Sequence, residues 1–253
     1  MPGMPNPDQQ VGAAGRDAEA WCAYVRNYEQ KVLSVTRFET TRARLLKEVR
    51  GPWVVNLGCG PTGHMENALA AIRAFRVGAA DVSREMVVEA RARTASDRVS
   101  FLVADNRDLP WADSSIDTLI TINSFIPERR VDADRMFQEA TRVLRPGGRL
   151  IAVLPAFEMS LAAAREWGAK VVMDPETRRE LDTNGWQCFY LEEDIHDVLR
   201  RLNFSTHRVE KLVLSRPEEV RHVEAVYAPL LKGLKAGVAA AYPLFEHLLI
   251  AER

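Results

Sequence analysis

Cysteine is scarce in this chain, and long apolar runs are missing from its beginning. Three cysteines, Cys22, Cys59 and Cys188, occur in 253 residues, and none belongs to a CxxC pair. This number and spacing argue against both a disulfide framework and a cysteine zinc site, and they fit a reducing compartment. Residues 1–16 contain no apolar stretch that would serve as a signal peptide or membrane span. We therefore expect a cytoplasmic protein without membrane association, beginning with a flexible tail at 1–16.

An excess of charge of either sign is also missing. The 34 basic and 35 acidic side chains give a formal net charge of −1 and are interleaved along the sequence. Binding to nucleic acid is not expected, because no basic stripe is present to attract a polyanion. The histidines beyond residue 190 lie on separate predicted elements without metal-ligand spacing, so no metal site is expected.

The remaining composition is that of one ordinary globular domain. Hydrophobic residues make up 47% of the chain and charged residues 27%, and the length suits one large α/β domain better than two. We expect a single domain over 17–253, with N-terminal helices at 17–50 and a cofactor-binding core at 51–155. Segments 156–190 and 216–242 are expected to be insertions on the side of the site that binds the substrate rather than the cofactor.

Short apolar runs alternate with helical or turn segments throughout the core, as in a parallel sheet built from βαβ units. Predicted strands lie at 53–57, 75–80, 99–104, 116–122, 150–154, 206–214 and 245–251. A helix is predicted to begin after Asp132, its expected N-cap, and to end before the Pro-Gly-Gly turn at 146–148. Another helix is predicted near 191–202. In the N-terminal region, apolar residues at steps of three and four predict one or two amphipathic helices.

The strongest local signal is the glycine-rich turn at 58–63, Gly-Cys-Gly-Pro-Thr-Gly, between a predicted strand and a predicted helix. Glycines there allow a tight turn and a close approach of the backbone to a nucleotide-like ligand. Asp81 ends the next strand about 20 residues on, where an acid would bind a ribose. This spacing alone suits NAD as well as other adenosine cofactors.

Five motifs follow one another in order: NLGCG at 56–60, GAADVS at 78–83, ADN at 104–106, ID at 116–117 and LRPGG at 144–148. As an ordered set, covering about residues 50–155, they resemble the class I S-adenosylmethionine-dependent methyltransferase family. The resemblance implies an α/β Rossmann-like sheet, mostly parallel with a final antiparallel strand. It also implies helices on both faces, an N-terminal helical segment and lid-like insertions.

The resemblance further implies S-adenosyl-L-methionine as cofactor and a set of binding residues for it. Gly58, Cys59 and Gly60 would approach its methionine part, and Asp81 would accept hydrogen bonds from both ribose hydroxyls. Asp105 would accept from the adenine amino group, with Asn106 beside it. The full set of expected cofactor-binding residues is Asn56, Gly58, Cys59, Gly60, Asp81, Val82, Asp105, Asn106 and Asn123.

Asn56 departs from the family pattern. The family usually carries Asp or Glu at this position, whereas an amide supplies no negative charge for the ammonium group of the ligand. Asn56 therefore puts tight cofactor binding in question.

Two residues are candidates for catalysis, although transfer from a sulfonium chiefly requires alignment of donor and acceptor. His64 directly follows the glycine turn and would act as a base towards a hydroxyl or ammonium acceptor. The alternative is that His64 only begins the next helix. Glu128 lies in the segment 123–128 that leaves the fourth strand, and it would contact the acceptor.

The leading hypothesis is an enzyme that methylates an O, N or C nucleophile of a small molecule, whose identity the sequence does not give. A protein or peptide acceptor is the runner-up. A NAD-dependent oxidoreductase and a non-catalytic partner-binding protein with a methyltransferase fold are the alternatives from other classes. The apolar face at 220–238 would bind a partner chain, form a homodimer contact or roof the pocket.

Overall fold

The computed structural model describes residues 18–19, 21–166, 171–182, 185–227 and 243–253. Its central feature is a seven-stranded sheet, and a three-stranded sheet lies beside it. The strands of the described residues are β1 (Trp53–Leu57), β2 (Arg76–Asp81), β3 (Val99–Val103), β4 (Ile116–Ile122), β5 (Leu144–Pro155), β6 (Val172–Asp174), β7 (Arg179–Asp182), β8 (Gly185–Cys188), β9 (Thr206–Val213) and β10 (Phe245–Glu252).

The described α-helices flank this sheet. They are α1 (Tyr28–Lys31), α2 (Glu39–Leu46), α3 (His64–Ala70), α4 (Arg84–Arg93), α5 (Arg130–Val143), α6 (Phe157–Glu166), α7 (Glu192–Arg201) and α8 (Pro217–Tyr227). Two short 3₁₀ helices at Val25–Asn27 and Val35–Arg37 alternate with α1 and α2. Where one or two amphipathic helices were predicted, the described segment Val25–Leu46 therefore forms four short helical pieces.

The order of the large sheet is β3-β2-β1-β4-β5-β10-β9. Strands β1 to β5 pair in parallel, whereas β10 runs antiparallel to both of its neighbours. The chain order reverses between β1 and β4, and ligands of such sheets bind outside the carboxyl ends of the strands at this switch point. The predicted Rossmann-like class, with its final antiparallel strand, is confirmed.

The core lies on both faces of this sheet because successive strand residues point to opposite sides. Val54 and Ile120 pack in a cluster on one face, with Leu248 from β10. Val55 and Leu119 pack in a second cluster on the other face. Both faces of the central strands are buried, which explains why these strands read as continuous apolar runs.

The start of α5 differs from the prediction. The helix begins at Arg130 after an extended Arg129, and no side chain caps it. Asp132 lies inside the first turn, where its carboxylate accepts hydrogen bonds from Arg129 at 2.8 and 3.0 Å. The predicted N-cap role of Asp132 is therefore wrong, because an ion pair takes the carboxylate instead.

The three-stranded antiparallel sheet β6-β7-β8 was not predicted from the sequence. Its strands have three or four residues each, too few for a pattern of period two to be recognised. Arg130 joins this sheet to the start of α5 by donating to the carbonyl oxygens of Arg178 and Phe189 at 3.2 and 2.6 Å. Much of the apolar face expected at 220–238 lies outside the described residues.

Candidate functional site

The glycine turn after β1 has a backbone conformation that side chains disfavour. Gly58 and Gly60 have φ angles of 64° and 57°, in the left-handed region that glycine adopts without strain. A Cβ atom on Gly58 would lie 2.1 Å from Cβ of Ser124. The turn therefore requires glycine at position 58, both for its dihedral angle and for space next to the end of β4.

Asp81, at the carboxyl end of β2, faces this turn. Its Oδ2 accepts from the backbone N–H of Gly60 and its Oδ1 from that of Ser83, both at 3.0 Å. Burial raises the pKa of this carboxyl above its ordinary value, against the lowering effect of these hydrogen bonds. The Ser83 hydroxyl accepts from the Met86 N–H at 3.3 Å and caps α4. The cap of α4 is therefore Ser83, and Asp81 is not needed for it.

A cavity of about 600 Å³ opens between the ends of β1, β2 and β4. This volume lies within the range of about 300–1,000 Å³ that small-molecule sites occupy. The lining residues are Trp21, Tyr28, Gly58, Gly60, Asp81, Val82, Met86, Asp105, Asn106, Arg107, Ile122, Asn123, Ser124, Ile126, Pro127, Glu128, Arg129, Asp132, Met136, Gly185, Trp186 and Gln187. Seven of the nine predicted cofactor-binding residues are among them.

The carboxylate of Asp105 lines this cavity but already has a partner. Its oxygens accept from the Arg107 guanidinium at 2.7 to 3.0 Å and from the Arg107 backbone N–H at 2.8 Å. Asn106 is buried, and its amide nitrogen donates to Ser124 Oγ at 3.3 Å. Within the described part of the chain, Asn106 Oδ1 is buried without a hydrogen-bond partner. Asn106 therefore offers a free acceptor oxygen where Asp105 is engaged.

A second, smaller cavity of about 30 Å³ lies next to the first. Tyr28, Gly58, Ile122 and Asn123 line both cavities. The small cavity is otherwise lined by Leu33, Ser34, Val35, Thr36, Asn56, Cys59, Thr62 and Met65. It contains the two predicted residues, Asn56 and Cys59, that the large cavity lacks.

Asn56 is bonded to a buried carboxyl group that the sequence analysis did not single out. Its amide nitrogen donates to Glu66 Oε1 at 2.7 Å. Glu66 lies on α3 and is completely buried, and burial raises its pKa to about 7. An acidic residue in the first helix after the glycine turn was the available sequence signal.

Asn123 forms a second pair of the same kind. Its amide nitrogen donates to Glu246 Oε1 at 2.6 Å, and burial raises the pKa of Glu246 to about 7. Asn123 has a φ angle of 50°, so a left-handed residue directly follows β4. Glu246 was also missed, although an acid inside the buried strand β10 is a departure from its apolar pattern.

Comparisons with known proteins place the chain in a family. A family model described as "Methyltransferase domain" matches residues 54–148. The 27-O-demethylrifamycin SV methyltransferase of Amycolatopsis mediterranei is 31% identical over 207 residues, 76% of this chain and 74% of that protein. The chain belongs to the class I methyltransferase family. This membership decides against the oxidoreductase alternative.

The demethylmenaquinone methyltransferase of Clavibacter sepedonicus is 43% identical over 116 residues, 46% of this chain and 45% of that protein. The chain spans less than two thirds of the length of the first curated relatives that it matches. A Haloferax volcanii methyltransferase, solved in complex with the Trm112 methyltransferase activator, has a TM-score of 0.62 at 21% identity, covering 94% of this chain and 96% of that chain. This likeness confirms the methyltransferase fold.

The two predicted catalytic residues lie in different places. His64 is the first residue of α3 and lines neither cavity. Its Nε2 contacts Glu29 Oε1 at 2.9 Å, and this hydrogen bond lowers the pKa of Glu29. The geometry thus gives a catalytic role of His64 no support. Glu128, by contrast, is exposed and lines the large cavity.

Residues outside the predicted cofactor-binding set complete the wall of the large cavity. Tyr28 from α1 lies over the glycine turn, since its hydroxyl would be 3.3 Å from a Cβ on Gly60. Trp21 lines the cavity from the N-terminal segment, and Trp186 lines it from β8. The guanidinium of Arg179 lies 5.1 Å from the ring centroid of Trp186. The small sheet therefore contributes directly to the site.

Two searches of the described residues were negative. They contain no group of three or more His, Cys, Asp or Glu side chains arranged to hold a metal ion. None of the described helices is long and apolar enough to cross a membrane.

Proposed function

We propose that this protein is an S-adenosylmethionine-dependent methyltransferase that transfers a methyl group to a small molecule. The observation that carries the proposal is the position of Asp81. Its buried carboxyl group is held by the glycine turn and opens onto the large cavity, as recognition of a ribose diol requires. The order of cofactor-binding motifs in the sequence supports the same conclusion.

The residues present fit the proposed donor. Asp81 offers two acceptor oxygens for the ribose hydroxyls, and Asn106 offers a buried Oδ1 without a partner for the adenine amino group. The glycine turn allows the methionine part to approach the backbone, since Gly58 and Gly60 carry no side chain there. Asp105 supports the adenine end indirectly, because its carboxylate holds the Arg107 guanidinium at the cavity wall.

The acceptor side is proposed to take an apolar, planar small molecule. Ile126, Pro127 and Met136 line the large cavity together with two tryptophans, Trp21 and Trp186. Aromatic side chains bind flat apolar surfaces well and leave their N–H group for a polar contact. Two relatives have names that refer to small-molecule substrates, a demethylmenaquinone and a demethylrifamycin. We accordingly propose segment 156–190, which contains Trp186, as an acceptor-side insertion.

The donor, when bound, supplies a methyl group on a positively charged sulfur. The role of the protein is then to hold the two reactants in line and to exclude water. Tyr28 and Trp21 close the cavity from the N-terminal side. Glu128 is the predicted catalytic residue that lines the cavity, and we propose that it accepts the proton of a hydroxyl acceptor at the rim.

Ligand-dependent thermal unfolding with S-adenosylhomocysteine tests the donor. A ligand at about 100 times its dissociation constant stabilises a protein by about 2.7 kcal/mol. We expect a rise of about 5–10 °C, which Asp81→Ala abolishes and Glu89→Gln, on the exposed face of α4, retains. No rise at high ligand concentration in the wild-type protein would refute the proposal.

Turnover separates an enzyme from a non-catalytic binding protein. Labelled S-adenosylmethionine is incubated with quinones, phenols and hydroxylated polyketides, and with a peptide mixture as the competing class. Label in a small molecule is the expected result. Label in peptide alone assigns a protein acceptor, whereas donor binding without transfer to any acceptor supports a partner-binding role.

A further inference from the structure

The two Asn–Glu pairs described above lie on the same face of the large sheet. Residues two positions apart in a strand face the same side of the sheet. Asn56 therefore shares the face of Val54 on β1, and Glu246 shares the face of Leu248 on β10. Both face the cluster that contains Val54 and Leu248. Asn56 and Asn123 line the same small cavity. Two carboxyl groups on separate elements, α3 and β10, are thus hydrogen-bonded to two amides that line one cavity.

Each pair is only half satisfied. Within the described residues, Oδ1 of both asparagines and Oε2 of both glutamates are buried without a hydrogen-bond partner. Two of these oxygens belong to asparagines that line the small cavity, and the other two belong to the carboxyl groups bonded to those asparagines. No donor of the described chain meets any of the four. Buried polar atoms are normally paired, so a group of unpaired acceptors indicates a ligand that donates hydrogen bonds.

The charge of the site points to a cation. Neither Glu66 nor Glu246 forms an ion pair with a described basic side chain, and the groups that interact with them electrostatically are Asp81, Cys59 and Tyr28. These groups carry no positive charge. An unpaired buried carboxylate is costly, and a cationic ligand would relieve that cost.

The size of the site limits the cation to a small group. A cavity needs about 10–15 Å³ to hold one water-sized group, so the volume of about 30 Å³ accommodates an ammonium group. The cavity adjoins the glycine turn through Gly58 and Cys59, where the amino-acid end of the proposed donor would lie.

We infer that the small cavity is a subsite for a primary ammonium group, that of the donor's amino-acid end, and that Glu66 and Glu246 supply its negative charge. Each glutamate is a positioning residue. It accepts from the amide nitrogen of its asparagine and so turns Oδ1 of that amide towards the ammonium. The charge that Asn56 lacks is thus supplied by residues on α3 and β10.

The inference rests on the proposed function, and two ligands separate them. S-adenosylhomocysteine carries the ammonium group, and 5′-methylthioadenosine carries the same nucleoside without the amino-acid part. Calorimetric titration of both ligands is carried out at pH 8 on the wild-type protein, Glu66→Gln, Glu246→Gln and the double variant. Glu89→Gln is the control, because its carboxylate pairs with Arg93 on the protein surface at 2.8 Å.

We expect each Glu→Gln change at the subsite to weaken S-adenosylhomocysteine binding about tenfold or more, as loss of a charge-assisted interaction does. Binding of 5′-methylthioadenosine should change less than about twofold, and the control should match the wild type for both ligands. The exchange variant Asn56→Asp with Glu66→Gln returns one carboxylate to the cavity and should restore most of the lost affinity. A merely structural role of Glu66 would not give this rescue.

Three outcomes would contradict the inference. If the affinities for both ligands fall together in the variants, the glutamates stabilise the fold of the site and do not bind the ammonium group. If the affinity for neither ligand falls, the small cavity does not bind the ammonium group. In both cases the wild type still binds S-adenosylhomocysteine and the proposed function stands, whereas a wild type that binds neither ligand removes the function and the inference together.

Discussion

The buried carboxyl of Glu66 should make the ligand-free protein less stable at neutral and alkaline pH. Its folded pKa of about 7 stands above its ordinary value of 4.5. Below pH 4.5 the group is protonated in both states and has no differential effect. As the pH rises towards 7, the unfolded chain releases the proton while the folded protein retains it. The free energy of unfolding therefore falls through this window and levels off above pH 7.

The size of the effect follows from the pKa difference. At 1.36 kcal/mol for each pKa unit, the charged form of Glu66 costs about 3 kcal/mol of folding free energy at pH 8. Glu66→Gln keeps the acceptor for the Asn56 amide and remains neutral at every pH. The variant should be within about 1 kcal/mol of the wild type near pH 5. It should be more stable by about 3 kcal/mol at pH 8, which raises Tm by about 5–10 °C in a domain of this size.

Thermal unfolding of the ligand-free wild type and variant between pH 5 and pH 8 measures this difference. Glu89→Gln serves as the control, because its exposed pair with Arg93 should give no comparable rise with pH. A gain of stability together with a loss of S-adenosylhomocysteine affinity is the combination expected of a charge kept for ligand binding. If Glu66→Gln is destabilised equally at pH 5 and pH 8, then the buried charge is not a cost and the reasoning fails.

Three further predictions concern the rest of the site. Asp81→Asn should lower the affinity for S-adenosylhomocysteine at least tenfold in calorimetry because it removes an acceptor charge. Ser83→Ala should cost about 1 kcal/mol of stability through the lost cap of α4 and should leave that affinity unchanged. Gly58→Ala should destabilise by more than about 3 kcal/mol in denaturant unfolding, since it combines strain with a clash, while Gly147→Ala, with open space around it, should cost only about 1 kcal/mol. Trp186→Ala should raise the acceptor KM about tenfold with an unchanged donor Kd. A changed donor Kd alone would place Trp186 on the donor side of the cavity and contradict the proposal.

The strand pattern allowed the fold to be predicted because the central strands are buried on both faces. The run at 116–122 coincides with β4, and the run at 53–57 coincides with β1. The glycine turn was also readable, because positive φ angles at a strand end require glycine. In contrast, the start of α5 was misplaced, since an ion pair between Arg129 and Asp132 is a spatial preference that a cap pattern does not show.

The sequence by itself determined the class of the sheet, the glycine turn and the acid at the end of β2, because each depends on residues close together in the chain and on a period of burial. Only the tertiary structure decided which buried acids belong to the site. Glu246 lies 123 positions from Asn123, and the antiparallel pairing of β10 with β5 brings it to the cavity. Such a pair has no local pattern, since its energy comes from burial and a contact that exist only after the sheet has formed.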